Sequence, residues 1–152
     1  MPRRSRAREV VLQVLFQQDL NPDSDWTGAE EFVRSRLHNH EDLVEMALGL
    51  LRGVMRNRDE LDQSLAERAD NWSLDRMAAT DRNVLRLGCY EIVYTDTPPR
   101  VAINEAVELA RRYGSGQSSQ FVNGILDGFL PSDEPSDAGN PTATDDGLDA
   151  DE

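Results

Sequence analysis

The 152-residue sequence is long enough for one domain with a buried core, because domains of this size hide about two thirds of their unfolded surface. Its 38% hydrophobic and 30% charged residues are typical of a soluble globular chain and exclude a membrane-spanning or fibrous protein. A net charge of −13 argues against nucleic-acid binding by the molecule as a whole.

The charges are unevenly distributed along the chain. Residues 131–152 hold eight acidic residues and no basic one, whereas residues 1–8 hold four arginines and no acid. The composition of 131–152, rich in Pro, Ser, Asp and Gly, predicts a disordered acidic tail behind a folded domain of residues 1–130. Two interpretations of the tail stay open: a solubilising segment, or an acidic segment that competes with a ligand for the basic N-terminus.

The first predicted helix runs from Ser5 to about Leu20 and ends at an Asn-Pro-Asp turn. Its apolar stripe consists of Ala7, Val11, Val14 and Leu15. At 100° per residue, the opposite face carries Arg6, Glu9, Gln13 and Phe16. Core packing does not explain an aromatic ring on this polar face, so Phe16 is a candidate binding residue.

Helical spacing predicts further helices in the rest of the folded domain of residues 1–130, and no strand pattern appears. The expected second helix buries Phe32, Val33 and Leu37, and Gly88 allows close approach of neighbours to a central helix. The sequence therefore predicts an all-α bundle of about seven helices. The further helical segments are 26–36, 41–70 with a break at Asn57, 81–94, 101–113 after a Pro-Pro break, and 118–130.

No motif for catalysis is present, since the sequence lacks a phosphate-binding glycine loop, a paired-cysteine motif and a nucleophile elbow. His38 and His40 are interpreted as loop residues, and we assign no metal or other cofactor. Cys89 lies in an apolar stretch, which indicates a buried thiol in a reducing cytoplasm. The N-terminus has no convincing signal peptide. We expect a cytoplasmic protein that is not an enzyme.

The basic N-terminus has the components for binding single-stranded RNA: cations for phosphates, an amide for base edges and a ring for stacking. A solvated basic terminus without a ligand remains the alternative at this point. If four arginines each neutralise one phosphate, the logarithmic salt slope of binding would be roughly −3. The residues concerned are Arg3, Arg4, Arg6, Arg8, Gln13 and Phe16.

Three motifs in order resemble the NusB family of bacterial transcription antitermination factors. They are 81–87 (DRNVLRL) followed by Tyr90-Glu91, 99–110 (PRVAINEAVELA) and 121–127 (FVNGILD), and the start from Arg6 to Phe16 is similar as well. The likeness covers about residues 3–130. It implies two small helical subdomains and binding of boxA RNA from ribosomal RNA transcripts together with NusE, a ribosomal protein, within an antitermination complex on RNA polymerase. A homodimer is possible.

The resemblance extends the RNA-binding set to Gln120 and Phe121 of the last helix. Phe16 stands where the family also has Tyr, and Gln120 replaces a basic residue of some relatives. The NusE-facing surface carries over onto Asp75, Arg76 and Asp81, since acidic residues suit a basic partner. Asp81 alternatively serves only to favour its helix dipole. Asn104 and Asn123 are expected to be buried hydrogen-bonding groups.

Two rivals remain from the sequence. One is an RNA-positioning domain like that of ribosomal RNA cytosine methyltransferases, although no catalytic domain pattern follows residue 130, so we expect this chain alone not to methylate. The other is a protein-only adaptor whose basic N-terminus is incidental.

Overall fold

The computed structural model describes residues 3–23, 27–69 and 73–131. These ranges contain seven α-helices, one short 3-10 turn and no strand, which confirms the all-α prediction. The predicted tail and Trp26 lie outside the described residues. The helices are α1 (Arg3–Leu20), α2 (Ala29–Arg36), α3 (Glu41–Arg56), α4 (Arg58–Arg68), α5 (Ala79–Tyr94), α6 (Pro99–Tyr113) and α7 (Ser118–Asp127), with the 3-10 turn at Leu74–Arg76.

Two helix boundaries show how local chemistry ends and starts a helix. Asn57 separates α3 from α4, and its side-chain Nδ2 donates to the Gly53 carbonyl at 2.8 Å, which caps the end of α3. α6 begins at Pro99, earlier than the predicted Val101. A proline is tolerated in the first helical turn because the N–H that it lacks would have no helical partner there.

α5 is the central helix, in contact with α1, α3, α4, α6 and α7. A Cβ on Gly88 would lie 2.7 Å from Leu126 Cδ1 and 3.2 Å from Ala106 Cβ, so this glycine permits the close approach of α6 and α7. Cys89 is fully buried, and burial raises the pKa of its thiol to about 12. The predictions for Gly88 and for a buried cysteine are confirmed.

One continuous apolar core joins all seven helices. α1, α2 and α3 contact one another on one side, and α5, α6 and α7 on the other, which corresponds to the two expected subdomains sharing a core. The prediction for Phe32 is wrong: this ring is 37% exposed on α2, beneath the Arg36 guanidinium at 5.2 Å. Val33 and Leu37 are buried as expected. None of the described helices is long and apolar enough to cross a bilayer.

Buried ion pairs fix α1 against α5. Arg8 Nε and Nη2 donate to the two Glu91 carboxylate oxygens at 2.7 and 2.8 Å, and Thr97 Oγ1 donates to the same carboxylate. At the other end of α1, Asp19 accepts from Arg82 Nε at 2.8 Å and from Asn83 Nδ2 at 2.9 Å. The two clusters hold α1 antiparallel to α5 in one register.

Asp19 also holds α1 against α5, and the stabilisation that it provides depends on the negative charge of its carboxylate. Burial acts to raise the pKa of Asp19, but hydrogen bonds from Arg82 and Asn83 and the nearby arginine charges outweigh it. The pKa of Asp19 therefore lies below its ordinary value of 3.8. Arg86 continues the cluster through a two-point hydrogen bond to Asp62 on α4.

We expect Glu91→Ala to lower the free energy of unfolding by about 3–5 kcal/mol, because it leaves the Arg8 charge buried without its partner. Urea denaturation measures this loss. The control, Glu108→Ala, removes a half-exposed carboxylate paired with Arg111 and should cost no more than about 1 kcal/mol. Equal losses in the two variants would contradict the assignment.

Asp19→Asn should destabilise the protein near neutral pH, with a difference from the parent that shrinks in acid. Because the folded pKa of Asp19 is depressed, its contribution is complete above about pH 5 and is lost as the pH falls through the folded pKa. Urea unfolding of both proteins at a series of pH values from about 6 down to about 2.5 tests the effect. A difference that stays constant over this range would rule out a charge-dependent role.

Candidate nucleic-acid interface

The polar face of α1 is the first part of the candidate site. Here we define this face as Arg6, Glu9, Gln13 and Phe16, the set that spacing places opposite the apolar stripe. Arg3 and Arg4 precede it and are exposed, and Arg6 is 37% exposed. Phe16 is half-buried and lies outside the apolar core. The structure thus leaves Arg3, Arg4 and Arg6 accessible in the first turns of α1, with Gln13 and Phe16 further along the helix.

Glu9 is the exception on this face, because it is only 3% exposed. It accepts hydrogen bonds from Arg6 Nη1 at 2.5 Å, from Arg112 Nη1 at 2.8 Å and from the Tyr113 hydroxyl. Burial acts to raise the pKa of Glu9, but the hydrogen bonds from Tyr113 and Arg6 lower it below its ordinary value of 4.5. Glu9 is therefore a charged anchor for two arginines and a tyrosine.

A groove of about 600 Å³ runs along the polar face. Gln13 and Phe16 line it from α1, Phe32 from α2 and Tyr113 from the end of α6. Gln13 Oε1 is buried and has no hydrogen-bond partner among the described residues. The groove presents aromatic walls and an amide, which are the groups that recognise unstacked bases.

A second cavity of about 450 Å³ brings together residues that the sequence assigned to different ligands. Gln120 and Phe121, predicted to bind RNA, line it with Arg76 and Asp81, predicted to face a protein partner. Phe121 also packs against the apolar core. Asp81 Oδ1 is buried and lacks a hydrogen-bond partner in the described part of the chain. Asp75 is exposed on the 3-10 turn and does not line the cavity.

The groove and the cavity are neighbours. Thr80 lines the groove and the next residue, Asp81, lines the cavity. Tyr113 lines the groove, and Ser115, two residues further on, lines the cavity. The linings of the groove, which includes Gln13 and Phe16, and of the cavity, which includes Gln120 and Phe121, are thus adjacent in the chain at these two points.

Arg8 departs from the sequence-based assignment as a phosphate-binding residue. It is 4% exposed, the Nε–Nη2 edge of its guanidinium is directed at Glu91, and its Nη1 lies 3.8 Å from a Glu105 carboxylate oxygen. Its spacing from Val11, Leu12 and Leu15, at i+3, i+4 and i+7, places it on the core-facing side of α1. Arg8 thus holds the helix in place, and the phosphate-binding candidates reduce to Arg3, Arg4 and Arg6.

The expectation for Asn104 and Asn123 is also wrong, because both are exposed. On α6 and α7, other residues of the same motifs are buried in the core instead, such as Ala106, Val122 and Leu126.

Two residues of this site, Arg112 and Tyr113, are not predicted from the sequence. Both bind Glu9 although they lie more than 100 positions from it in the chain. The only local signal was a basic pair followed by an aromatic residue in the last turn of α6. A helix C-terminus commonly carries basic residues, so this signal does not distinguish a ligand site from a favourable helix dipole.

Three comparisons with known proteins identify relatives of the chain. The model of the NusB family matches residues 5–131. A transcription antitermination protein NusB from Anaeromyxobacter dehalogenans (strain 2CP-1 / ATCC BAA-258) is 45% identical over 125 residues, which cover 82% of this chain and 88% of that protein.

Solved structures agree with the sequence relatives. T. maritima NusB is 37% identical, with a TM-score of 0.76 over 90% of this chain and 96% of its own. A crystal structure of antitermination factors NusB and NusE in complex with dsRNA contains a chain that is 26% identical, with a TM-score of 0.71 over 85% of this chain and 96% of that one. Sequence, family model and fold agree along almost the whole described part, and the chain belongs to the NusB family.

Proposed function

We propose that this protein is a transcription antitermination factor that binds boxA-type single-stranded RNA of ribosomal RNA transcripts together with NusE. The pair then joins an antitermination complex on RNA polymerase. The single observation that supports the RNA part is that Gln13 and Phe16 of α1 line a groove whose lining adjoins, at Thr80–Asp81, that of the cavity lined by Gln120 and Phe121 of α7. Family membership supplies the process, because the curated relatives are named transcription antitermination proteins.

This process involves no catalysed reaction, so the family assignment confirms the expectation that the protein is not an enzyme. Transcription in bacteria takes place in the cytoplasm, and the proposal places the protein there. It assigns RNA binding to the folded domain of residues 1–130. The proposal gives no role to the acidic segment that follows. Whether the free protein self-associates is a separate question, which light scattering decides.

Arginines supply the electrostatic part of binding in this proposal. Arg3, Arg4 and Arg6 each neutralise one phosphate, and these three residues together contribute roughly −2 to the logarithmic salt slope for single-stranded RNA. That is shallower than the value of roughly −3 expected from four arginines, because Arg8 is committed to Glu91. An electrostatic contribution of this size gives only a weak affinity for RNA at moderate salt. Base stacking and a protein partner therefore have to add to the affinity.

Aromatic rings supply the stacking. Phe16 in the groove and Phe121 in the cavity each offer a ring at the surface, and base stacking on such a ring contributes on the order of 1–3 kcal/mol. The absence of a hydroxyl on Phe16 keeps this stacking and removes any hydrogen bond that a tyrosine would make.

Acidic residues beside the cavity suit the basic partner. Asp75 is exposed, and Asp81 carries a buried carboxylate oxygen without a partner among the described residues. A donor from NusE would satisfy this oxygen. Because Asp81 shares its cavity with Gln120 and Phe121, RNA and NusE would meet at this point. One solved relative is a complex of NusB and NusE with dsRNA, which supports binding of an RNA together with NusE.

The two rivals have less support. An RNA-positioning domain of a methyltransferase would share this fold, but the relatives at about 45% identity are antitermination proteins. A protein-only adaptor would leave the polar face of α1 without a ligand.

A gel-shift assay with boxA-type RNA, with and without NusE, tests the proposal directly. We expect a weak shift by this protein alone and a stronger one with NusE, because the partner adds contacts to the same RNA. A scrambled RNA and a duplex of the same sequence are the controls. No shift under either condition would favour the adaptor, and equal binding of single-stranded and duplex RNA would contradict base stacking.

Phe16→Ala should lower RNA affinity by about five- to a hundredfold without unfolding the protein, because it removes a stacking ring that lies outside the core. Fluorescence anisotropy measures the affinity, and thermal unfolding checks the fold. Tyr94→Ala is the matched control, since it removes an exposed ring that lines neither the groove nor the cavity. Unchanged affinity in Phe16→Ala would remove this ring from the site.

A further inference from the structure

We propose that the last turn of α6 forms the middle of the RNA-binding surface, with Arg112 binding a backbone phosphate, Tyr113 stacking on a base and Glu9 positioning both. This inference rests on the proposed RNA binding and names residues of that surface that the sequence motifs do not contain. It adds a contact between the two parts on α1 and α7.

Arg112 is held and exposed at the same time. Its Nη1 donates to the buried Glu9 carboxylate at 2.8 Å, yet its side chain remains 42% exposed. A guanidinium that a carboxylate already orients loses less conformational entropy when it also binds a phosphate. Arg6, which binds the same carboxylate, is placed beside it in the same way. Two oriented cations thus share one buried anion.

Tyr113 presents its ring to the groove while its hydroxyl is tied to Glu9. The side chain is 43% exposed, and the ring lies among the lining residues that include Gln13 and Phe16. A ring anchored at its hydroxyl end is a preorganised platform, and base stacking on aromatic rings tolerates any base.

The last turn of α6 and the residues that follow it line both the groove and the cavity. Tyr113 borders the groove, and Ser115 and Gln117 border the cavity that contains Phe121. In this proposal, a single strand that stacks on Phe16 in the groove and on Phe121 in the cavity passes the end of α6, because Tyr113 lines the groove and Ser115 lines the cavity. The groups that it meets there are the exposed guanidinium of Arg112 and the ring of Tyr113.

The neighbouring charges favour an anion at this turn. Glu9 is buried and shared by Arg6 and Arg112, so these three residues have one excess positive charge. Glu108 lies 3.8 Å from Arg112 Nε, but its carboxylate is closer to Arg111, at 2.5 Å. Arg111 and Glu108 therefore neutralise each other beside the site.

Adjacent arginines provide a charge-matched test. Arg112→Ala should weaken binding of a boxA-type RNA about fivefold at 0.1 M salt and make the logarithmic salt slope shallower by about 0.7. Arg111→Ala removes the same charge from an exposed residue that does not contact Glu9, and it should leave affinity and slope close to those of the parent. Equal losses in the two variants would reduce the effect to general electrostatics and overturn the proposal.

Tyr113 is tested by two substitutions that separate its ring from its hydroxyl. Tyr113→Ala should lower affinity roughly five- to a hundredfold with little change in salt slope, because stacking releases no counterions. Tyr113→Phe keeps the ring and should retain most of the affinity. Parent-like binding by Tyr113→Ala, with its fold checked by thermal unfolding, would contradict the stacking role.

Glu9 is a positioning residue, and a double-mutant cycle shows whether it acts through Arg112. Glu9→Gln should lower RNA affinity more in the parent than in the Arg112→Ala background. An equal loss in both backgrounds would mean that Glu9 does not position Arg112. Failure of the parent protein to bind RNA at all would overturn the proposed function as well, whereas binding by the parent with equal Arg111 and Arg112 variants overturns this inference alone.

Discussion

The antiparallel pairing of α1 with α5 through buried charges is the constraint on which the surface depends. Arg8 and Glu91 close one end of the pairing, and Asp19 with Arg82 closes the other. A buried ion pair adds little net stability over apolar residues of the same shape, but leaving one member unpaired is costly. The two clusters therefore penalise any rotation or slip of α1 and determine which side of the helix faces outward.

Because the two clusters fix the rotation of α1 about its axis, neighbouring residues of this helix differ in burial. Arg8 is buried against α5, whereas Arg6 reaches the surface together with Gln13 and Phe16. Glu9 lies between the two environments, buried yet bonded to residues at the surface. The helix thus contributes to the core and to the candidate RNA surface at the same time.

In the proposed function, a protein without a positive net charge selects RNA through specific contacts, some of them in the cavity lined by Asp81 and Phe121. The protein carries a net charge of −13, so it cannot rely on a broad positive field to attract RNA. Instead, the buried Glu9 carboxylate orients Arg6 and Arg112, aromatic rings line the neighbouring groove, and an acidic residue, Asp81, lines the same cavity as Phe121. In the proposed function, a basic protein partner at Asp81 extends the RNA surface and neutralises part of the negative charge.

The sequence by itself determined the helices and the polar face of α1, because apolar spacing and proline breaks are local signals. It assigned Arg8 to phosphate binding, because burial of an arginine needs an acid, and Glu91 is 83 positions away. Only the tertiary structure decided that Arg8 is internal, that Phe32 is exposed, and that Arg112 and Tyr113 meet Glu9. The physical reason is that these outcomes depend on contacts between helices distant in the chain, which spacing along one helix does not encode.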